Sequence, residues 1–321
     1  MIAQRNSTAP RGVSLALAAS VICWACGDPI KDPQLIEETR VLGARVEVDG
    51  DPDRATPEPG ESVTVRWLVA DPGEQLQRTW AFAVCAAADV AHGTPLCVAP
   101  PFAVIESGQL ALGEPSFSVT VPPLDELHDA PQLSVLGVIC TEGSAHLGED
   151  WADTYCEGSA TQESLVSLDI WLQQDELSNR NPSLAGMQVR LDGNPWAETD
   201  PAAADSIDCT RADLGLPSTT AGSEEHRITF TPAAENQEPL PTSHPQDEPL
   251  EELQLQHFVT AGELERAYSN LDPTTAGSQV ELLWDAPSEV GADGEVVRFY
   301  LVARDLRGGV GWTERTLCLL P

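Results

Sequence analysis

The sequence predicts an all-β chain of two tandem immunoglobulin- or fibronectin-III-like β-sandwiches, and three observations carry that prediction. Apolar and polar residues alternate over short runs bounded by Pro, Gly and Asp; no stretch of the first half holds an apolar stripe at helical spacing; and the motif order of the first half recurs in the second. About 300 residues follow the N-terminal apolar segment, enough for two domains that each bury a core.

Residues 1–25 read as an export signal. Arg5 and Arg11 precede an uncharged, mostly apolar run over residues 12–25. That run falls short of the roughly 20 apolar residues that a membrane-spanning helix needs. It ends in Cys23-Trp24-Ala25-Cys26-Gly27-Asp28, which resembles a bacterial lipobox: a small residue precedes the cysteine, although Cys23 stands where the pattern usually has Leu. The resemblance implies lipidation of Cys26, with residues 26–39 as a polar tether, the lipid holding by about 0.8 kcal/mol per buried methylene.

The first domain is expected over residues 40–176. Ala44, Val46 and Val48 alternate with Arg45 and Glu47, and after an Asp/Pro/Gly turn Val63, Val65, Trp67 and Val69 share one face of residues 62–70. Further strands are expected at 79–85, 102–106, 116–121, 133–141 and 164–172, making seven short strands in sandwich order. Residues 177–182 read as a linker into the second domain, 177–321.

The second domain repeats the first in order. Val46-Glu47-Val48-Asp49-Gly50-Asp51-Pro52 returns as Val189-Arg190-Leu191-Asp192-Gly193-Asn194-Pro195, and residues 60–67 return more weakly at 225–230. Gly108-Gln109-Leu110 is echoed by Gly262-Glu263-Leu264, and the strand before Pro122 by residues 280–284. Residues 196–225 and 231–249 are Pro-rich and acidic, so both read as mobile loop insertions. A closing hairpin is expected from 295–305 and 310–320, with Gly308 and Gly309 supplying positive φ in the turn. The lipobox, the Val46–Pro52 opening and the terminal Tyr300-Leu301-Val302-Ala303-Arg304-Asp305-Leu306-Arg307-Gly308-Gly309-Val310-Gly311-Trp312 stretch together resemble cell-envelope lipoproteins of the myxobacterial type. The resemblance implies a lipid-anchored tandem immunoglobulin-like protein and carries no assigned activity.

Acidic residues dominate, 51 Asp and Glu against 17 Lys and Arg, for a net charge of -34. With no basic run after the signal, nucleic acid is excluded as a partner, because phosphate neutralisation needs clustered cations. The acidity reads as a solvated surface. Beyond Cys26, the cysteines Cys85, Cys97, Cys140, Cys156, Cys209 and Cys318 are even in number, which in an exported chain argues for three disulfides. Six cysteines allow 15 pairings. Spacing suggests Cys85–Cys97 and Cys140–Cys156 as local staples and Cys209–Cys318 as a long closure.

Candidate chemistry is thin. Asp49, Asp51 and Asp53, with Glu58 and Glu61 nearby, invite a calcium site, the one cofactor the sequence offers. An EF-hand starting at Asp49 fails, since Arg54 stands where it needs Gly and Gly60 where it needs Glu. Neither Gly-x-Ser-x-Gly nor His-Glu-x-x-His occurs; His92, His128, His146, His226, His244 and His257 are scattered, mostly in polar stretches. Trp67, Trp80, Trp171, Trp284 and Trp312 fall on strand patterns and read as core, which leaves Trp151, Trp196 and Arg307 as candidate contact residues. The favoured reading is a non-enzymatic lipoprotein of the outer membrane or cell surface that binds an envelope protein or glycan, or acts as a spacer. An envelope hydrolase and a calcium-stabilised adhesion module are the alternatives.

Overall fold

The computed structural model describes residues 32–88, 97–148, 153–158, 162–173, 178–184, 186–200, 204, 206–211, 215–223, 225–240 and 250–321. The signal segment, Cys26, Leu177, Trp151, His92 and His244 lie outside the described residues. Strands of the first half are β1 (Arg40–Val48), β2 (Ser62–Ala70), β3 (Arg78–Ala87), β4 (Ala103–Glu106), β5 (Ser116–Thr120), β6 (Gln132–Thr141), β7 (Ser144–Leu147), β8 (Thr154–Glu157) and β9 (Gln162–Trp171). The second half carries β10 (Gln188–Leu191), β11 (Asn194–Pro195), β12 (Ser218–Thr220), β13 (His226–Thr231), β14 (Gln254–Val259), β15 (Glu263–Leu264), β16 (Tyr268–Asn270), β17 (Val280–Asp285), β18 (Glu295–Arg304) and β19 (Val310–Leu320).

Two β-sandwiches result. In the first, β1-β2-β5 packs on β4-β3-β6-β9; in the second, β11-β10-β13-β17-β15 packs on β12-β19-β18-β14-β16. Strand alternation sends Val46, Val48, Val63, Val65 and Trp67 inward to meet Phe82, Val84 and Val135, and Trp67 stacks on Phe82 with ring centroids 5.4 Å apart. The second core gathers Val189, Ile228, Phe230, Leu282, Trp284, Phe299 and Leu301.

The register repeats as well as the order. Val46 faces Val65 and Val48 faces Val63 in the first sandwich, as Val189 faces Phe230 and Leu191 faces Ile228 in the second. Val65 pairs Phe117 and Val63 pairs Val119, as Phe230 pairs Val280 and Ile228 pairs Leu282. The Gly108 echo is not equivalent: residues 108–110 follow β4, whereas Gly262 to Leu264 precede β16, the edge strand that corresponds to β4. Three residues are too few to anchor an alignment.

β3 and β6 are buried on both faces because the β7-β8 hairpin covers their outer side. The Cys140–Cys156 disulfide pins that hairpin, and the Thr79 hydroxyl donates to Gly143 O and accepts from Ala145 N, both at 2.8 Å. Cys85–Cys97 and Cys209–Cys318 complete the pairing that spacing suggested. The last spans 109 residues, where chain entropy alone is worth about 4.7 kcal/mol.

Much of the presumed mobile insertion is built in. β12 runs parallel to the edge of β19, Ser218 opposite Cys318, and Trp196 is a core residue with 4% exposure. Its indole N–H donates to Thr316 O at 3.0 Å and its ring meets Phe299 edge-on at 5.0 Å. The contact role expected of Trp196 is therefore corrected: a loop position said nothing of the cavity beneath it. Trp171, expected in the core, lies on the edge strand β9 and is exposed.

A third apolar cluster joins the sandwiches. Leu42, Leu68 and Ala70 from the first meet Tyr300, Val302 and Val310 from the second, with Ile36 among them. β18 thus turns Val297, Phe299, Leu301 and Ala303 to its own core and Tyr300 and Val302 to the joint. A bulge between Val41 and Gly43 turns Leu42 outward, away from the core face that Ala44 and Val46 occupy. Hydrogen bonds reinforce the contact. Arg304 donates to Leu42 O at 2.8 Å, and linker Asn181 donates to Val46 O at 2.6 Å and accepts from Val310 N at 3.0 Å.

The tether ends earlier than expected. Ile36 N donates to Val259 O at 2.8 Å, Val259 N donates to Gln34 O at 2.9 Å, and the Ile36 side chain is fully buried. Residues 33–39 are thus part of the fold, because Leu35 and Ile36 have apolar surface to cover.

In the β18-β19 turn, positive φ falls on Leu306 (61°) and Gly308 (106°). Gly309 is needed for a different reason: a Cβ there would collide with the Asp305 carboxylate and Arg180 O. That carboxylate accepts from the amides of Arg307 (2.7 Å) and Gly309 (2.8 Å) and from Asn179 (2.8 Å). The Arg307 guanidinium turns the other way, onto Glu238 at 2.8 Å and buried Glu251 at 2.7 Å. Burial pushes the Glu251 carboxyl up to about 7 and Asp305 upward too. His257, expected in a polar setting, lies on β14 at 1% exposure, stacked on Phe230, and burial lowers it to about 4.

Two outcomes are expected. Ile36→Ala should cost about 2–4 kcal/mol in urea unfolding; an unchanged midpoint would mean that the 33–39 segment is not docked. Glu251 is protonated more readily in the folded state than in the unfolded state, so its contribution is full below about pH 4.5 and is lost as pH rises through about 7. His257 has the opposite sign, full above about pH 6.5 and lost as pH falls towards 4. Glu251→Gln should therefore flatten the loss of melting temperature between pH 5 and 8 and leave the acid-side loss intact. Identical pH curves for both proteins would refute the assignment.

Candidate functional site

Beside the apolar joint, the two sandwiches leave a cleft of about 420 Å³. The first contributes Leu68, Val69 and Asp71 at the end of β2, Arg78 at the start of β3, and Gly113 and Glu114 ahead of β5. From the second come Arg298 and Tyr300 on β18, Trp312 to Glu314 on β19, and Glu198, Thr199 and Asp200 after β11.

Its floor is prebuilt from buried polar groups. Asp71 accepts from Thr39 (2.6 Å) and from Leu76 N (3.0 Å) and is ion-paired with Arg78, which also donates to Gly113 O at 3.2 Å. Both charges of that pair are almost completely buried, so removing either would strand the other at about 3–5 kcal/mol. Across the cleft, the Arg298 guanidinium lies 3.9 Å from Glu314. Tyr300 is held neutral well above its ordinary range, first by burial and then by the Glu314 charge. The rim is acidic and aromatic: Trp312 donates to Glu114 at 3.1 Å and Thr313 donates to Glu198 at 2.6 Å.

Five carboxylates face two guanidiniums here, an acidic surplus in a partly enclosed space. Low-dielectric walls focus such a field, so the cleft attracts cations. Thr199 sharpens this, for it lines the cleft at 7% exposure and its hydroxyl has no hydrogen-bond partner. Buried hydroxyls are normally paired, so this one stands ready for a ligand atom.

The sequence-derived candidates lie elsewhere. Asp51 and Asp53 each lie 3.6 Å from the Arg180 guanidinium, Asp53 also 3.5 Å from Arg45, and Asp49 is exposed on its turn. Among the described residues no group of three or more His, Cys, Asp or Glu is gathered for a metal ion. Arg307 serves the hairpin ion pairs, and Trp196 the core. The cleft escaped sequence reasoning because its residues come from widely separated stretches, and Trp312, which lines it, reads as core from its strand pattern.

Among the described residues no helix is long and apolar enough to cross a membrane. The three disulfides place the chain in an oxidising, exported compartment. No family model matches the chain, and no curated protein matches it by sequence. Among solved structures, red sea bream transglutaminase is similar at TM-score 0.25 and 10% identity over 89% of this chain, which spans 32% of that protein. The native conformation of Escherichia coli alpha-2-macroglobulin is similar at TM-score 0.22 and 12% identity over 88% of the chain, spanning 17% of its length. The structure titled pT26-6p is similar at TM-score 0.19 and 10% identity, covering 89% of this chain and 66% of its own.

Proposed function

We propose that this is a lipid-anchored cell-envelope protein that binds, in the cleft between its sandwiches, a cationic group presented by an envelope partner. The observation that carries the reading is the acidic surplus around an unpaired, buried Thr199 hydroxyl at a firmly packed joint. An ammonium or guanidinium group would donate charge-assisted hydrogen bonds to Glu198 and Asp200 while its carbon stem lies against Trp312 and Leu68. Fixing both sandwiches before binding spares the entropy of ordering them afterwards. Lipidation of Cys26 would place the lipid seven residues ahead of Pro33 in the sequence, a stretch of chain that can reach at most about 25 Å. Such a short lead supports display close to a membrane surface.

Titration of the full chain with spermidine and with an arginine-rich peptide, followed by calorimetry, tests the cleft. Binding is expected to weaken with added salt and to fall at least tenfold in the Glu198→Gln, Asp200→Asn double variant. Unchanged affinity in that variant, or no binding at millimolar ligand, would overturn the reading. The anchor is checked separately by intact mass: protein extracted from membranes should match a chain starting at Cys26 with acyl chains attached, and a mass starting at another residue would refute it.

A further inference from the structure

At the end of the second sandwich, away from the cleft residues, three side chains form one line, two of them three residues apart and the third from the β10-β11 turn. The Asp192 carboxylate lies 2.8 Å from His226 Nδ1, and His226 Nε2 lies 2.8 Å from the Ser223 hydroxyl. Thr219 completes the group, 2.8 Å from the same nitrogen and 3.1 Å from Ser223. Asp192 sits in the β10-β11 turn at φ 49°, held there as its second oxygen accepts from Arg227 N at 2.9 Å. His226 opens β13 on the inward-facing side, its ring 5.4 Å from that of buried Trp284. Ser223 stands on a tight turn, its amide donating to Thr220 O at 3.1 Å, just after Gly222 at φ 66°.

The polarity of the line follows from its ends. Burial pushes the Asp192 carboxyl up, but the bonds from His226 and from the Arg227 amide together hold it below its ordinary range. An ionised carboxylate on Nδ1 fixes the proton there, which leaves Nε2 of the neutral ring as an acceptor for the serine proton. Ser223 is only partly buried and the His226 side chain keeps 13% of its surface exposed, so the pair is not sealed from solvent.

The fold does not require this arrangement. By register, Glu61 of the first sandwich occupies the place of His226: Asp49 N bonds Ser62 O as Asp192 N bonds Arg227 O, one residue further along each strand. There the end is closed by an ordinary ion pair between Glu61 and Arg54. One copy of a duplicated sandwich thus carries a structural salt bridge, and the other a base, its orienting carboxylate and a hydroxyl.

We propose that Ser223 is a nucleophile activated by His226, with Asp192 as a positioning residue, and that the site transfers acyl groups from esters. Ser223 Oγ bonds to the ester carbonyl carbon as its proton passes to His226 Nε2. The C–O bond to the leaving group then breaks, and His226 returns the proton so that the group departs as an alcohol. Water, deprotonated in turn by His226, cleaves the acyl-serine and restores the hydroxyl.

The test is labelling of the purified, disulfide-intact chain with an alkyl fluorophosphonate, which forms an Oγ–P bond and releases fluoride, followed by peptide mass spectrometry. One adduct is expected, on Ser223, absent from Ser223→Ala. The labelling rate should fall about 100-fold or more in His226→Gln. Asp192→Asn should slow it at least tenfold and change its pH profile, which a purely structural carboxylate would not do. Melting temperatures within a few degrees of the parent show that each variant is folded. No adduct under conditions that label a known serine esterase, an adduct on Thr219, or a rate indifferent to His226→Gln would each overturn the proposal.

Discussion

The structure depends on one sheet having two faces to bury. The hairpin of β18 and β19 is buried along nearly its whole length, and a single sandwich core can cover only one side of it. The other side is covered by the first sandwich and by the 33–39 segment, whose Ile36, Leu42, Leu68 and Ala70 contribute about 1.5–3 kcal/mol for each large side chain fully removed from water. The joint is therefore a piece of core, and the linker asparagines thread it with bonds to both halves.

Where the joint runs out of apolar residues, the same packing brings charged ones together. Asp71 with Arg78 and Arg298 with Glu314 continue the contact surface as the floor of the cleft, so the proposed binding site and interdomain adhesion share one boundary. The cleft is consequently as stiff as the joint. A ligand there would meet groups already held in place, with little side-chain freedom left to lose.

Strands whose alternation is local were legible in the sequence. Val63, Val65 and Trp67 announce β2, and the duplicated Val-x-Val/Leu-Asp-Gly opening proves to be a true structural equivalence down to the pairing of Val46 with Val65 and Val189 with Phe230. What stayed hidden depends on partners far along the chain. β7 and β8 are strands because Cys140 and Thr79 hold them against a sheet face, and β12 because Cys209 draws its neighbourhood to Cys318. Trp196 and His257 show the same limit for single residues, since polar neighbours in sequence say little about a core reached from another sheet. The Asp192, His226, Ser223 line was invisible for a related reason: its serine lies in the insertion, outside the repeat, and carries no motif that links it to the histidine.

The order in which these surfaces arise along the chain bears on export. β18 and β19 follow every other strand, so during vectorial translocation Leu42, Leu68 and Ala70 emerge long before the hairpin that covers them. Cys209 likewise waits for Cys318. Until the hairpin arrives, the first sandwich presents an uncovered apolar face and the second a lone thiol, both in a crowded, oxidising space. That interval, more than the finished molecule, is where a chaperone or a disulfide isomerase would find something to hold.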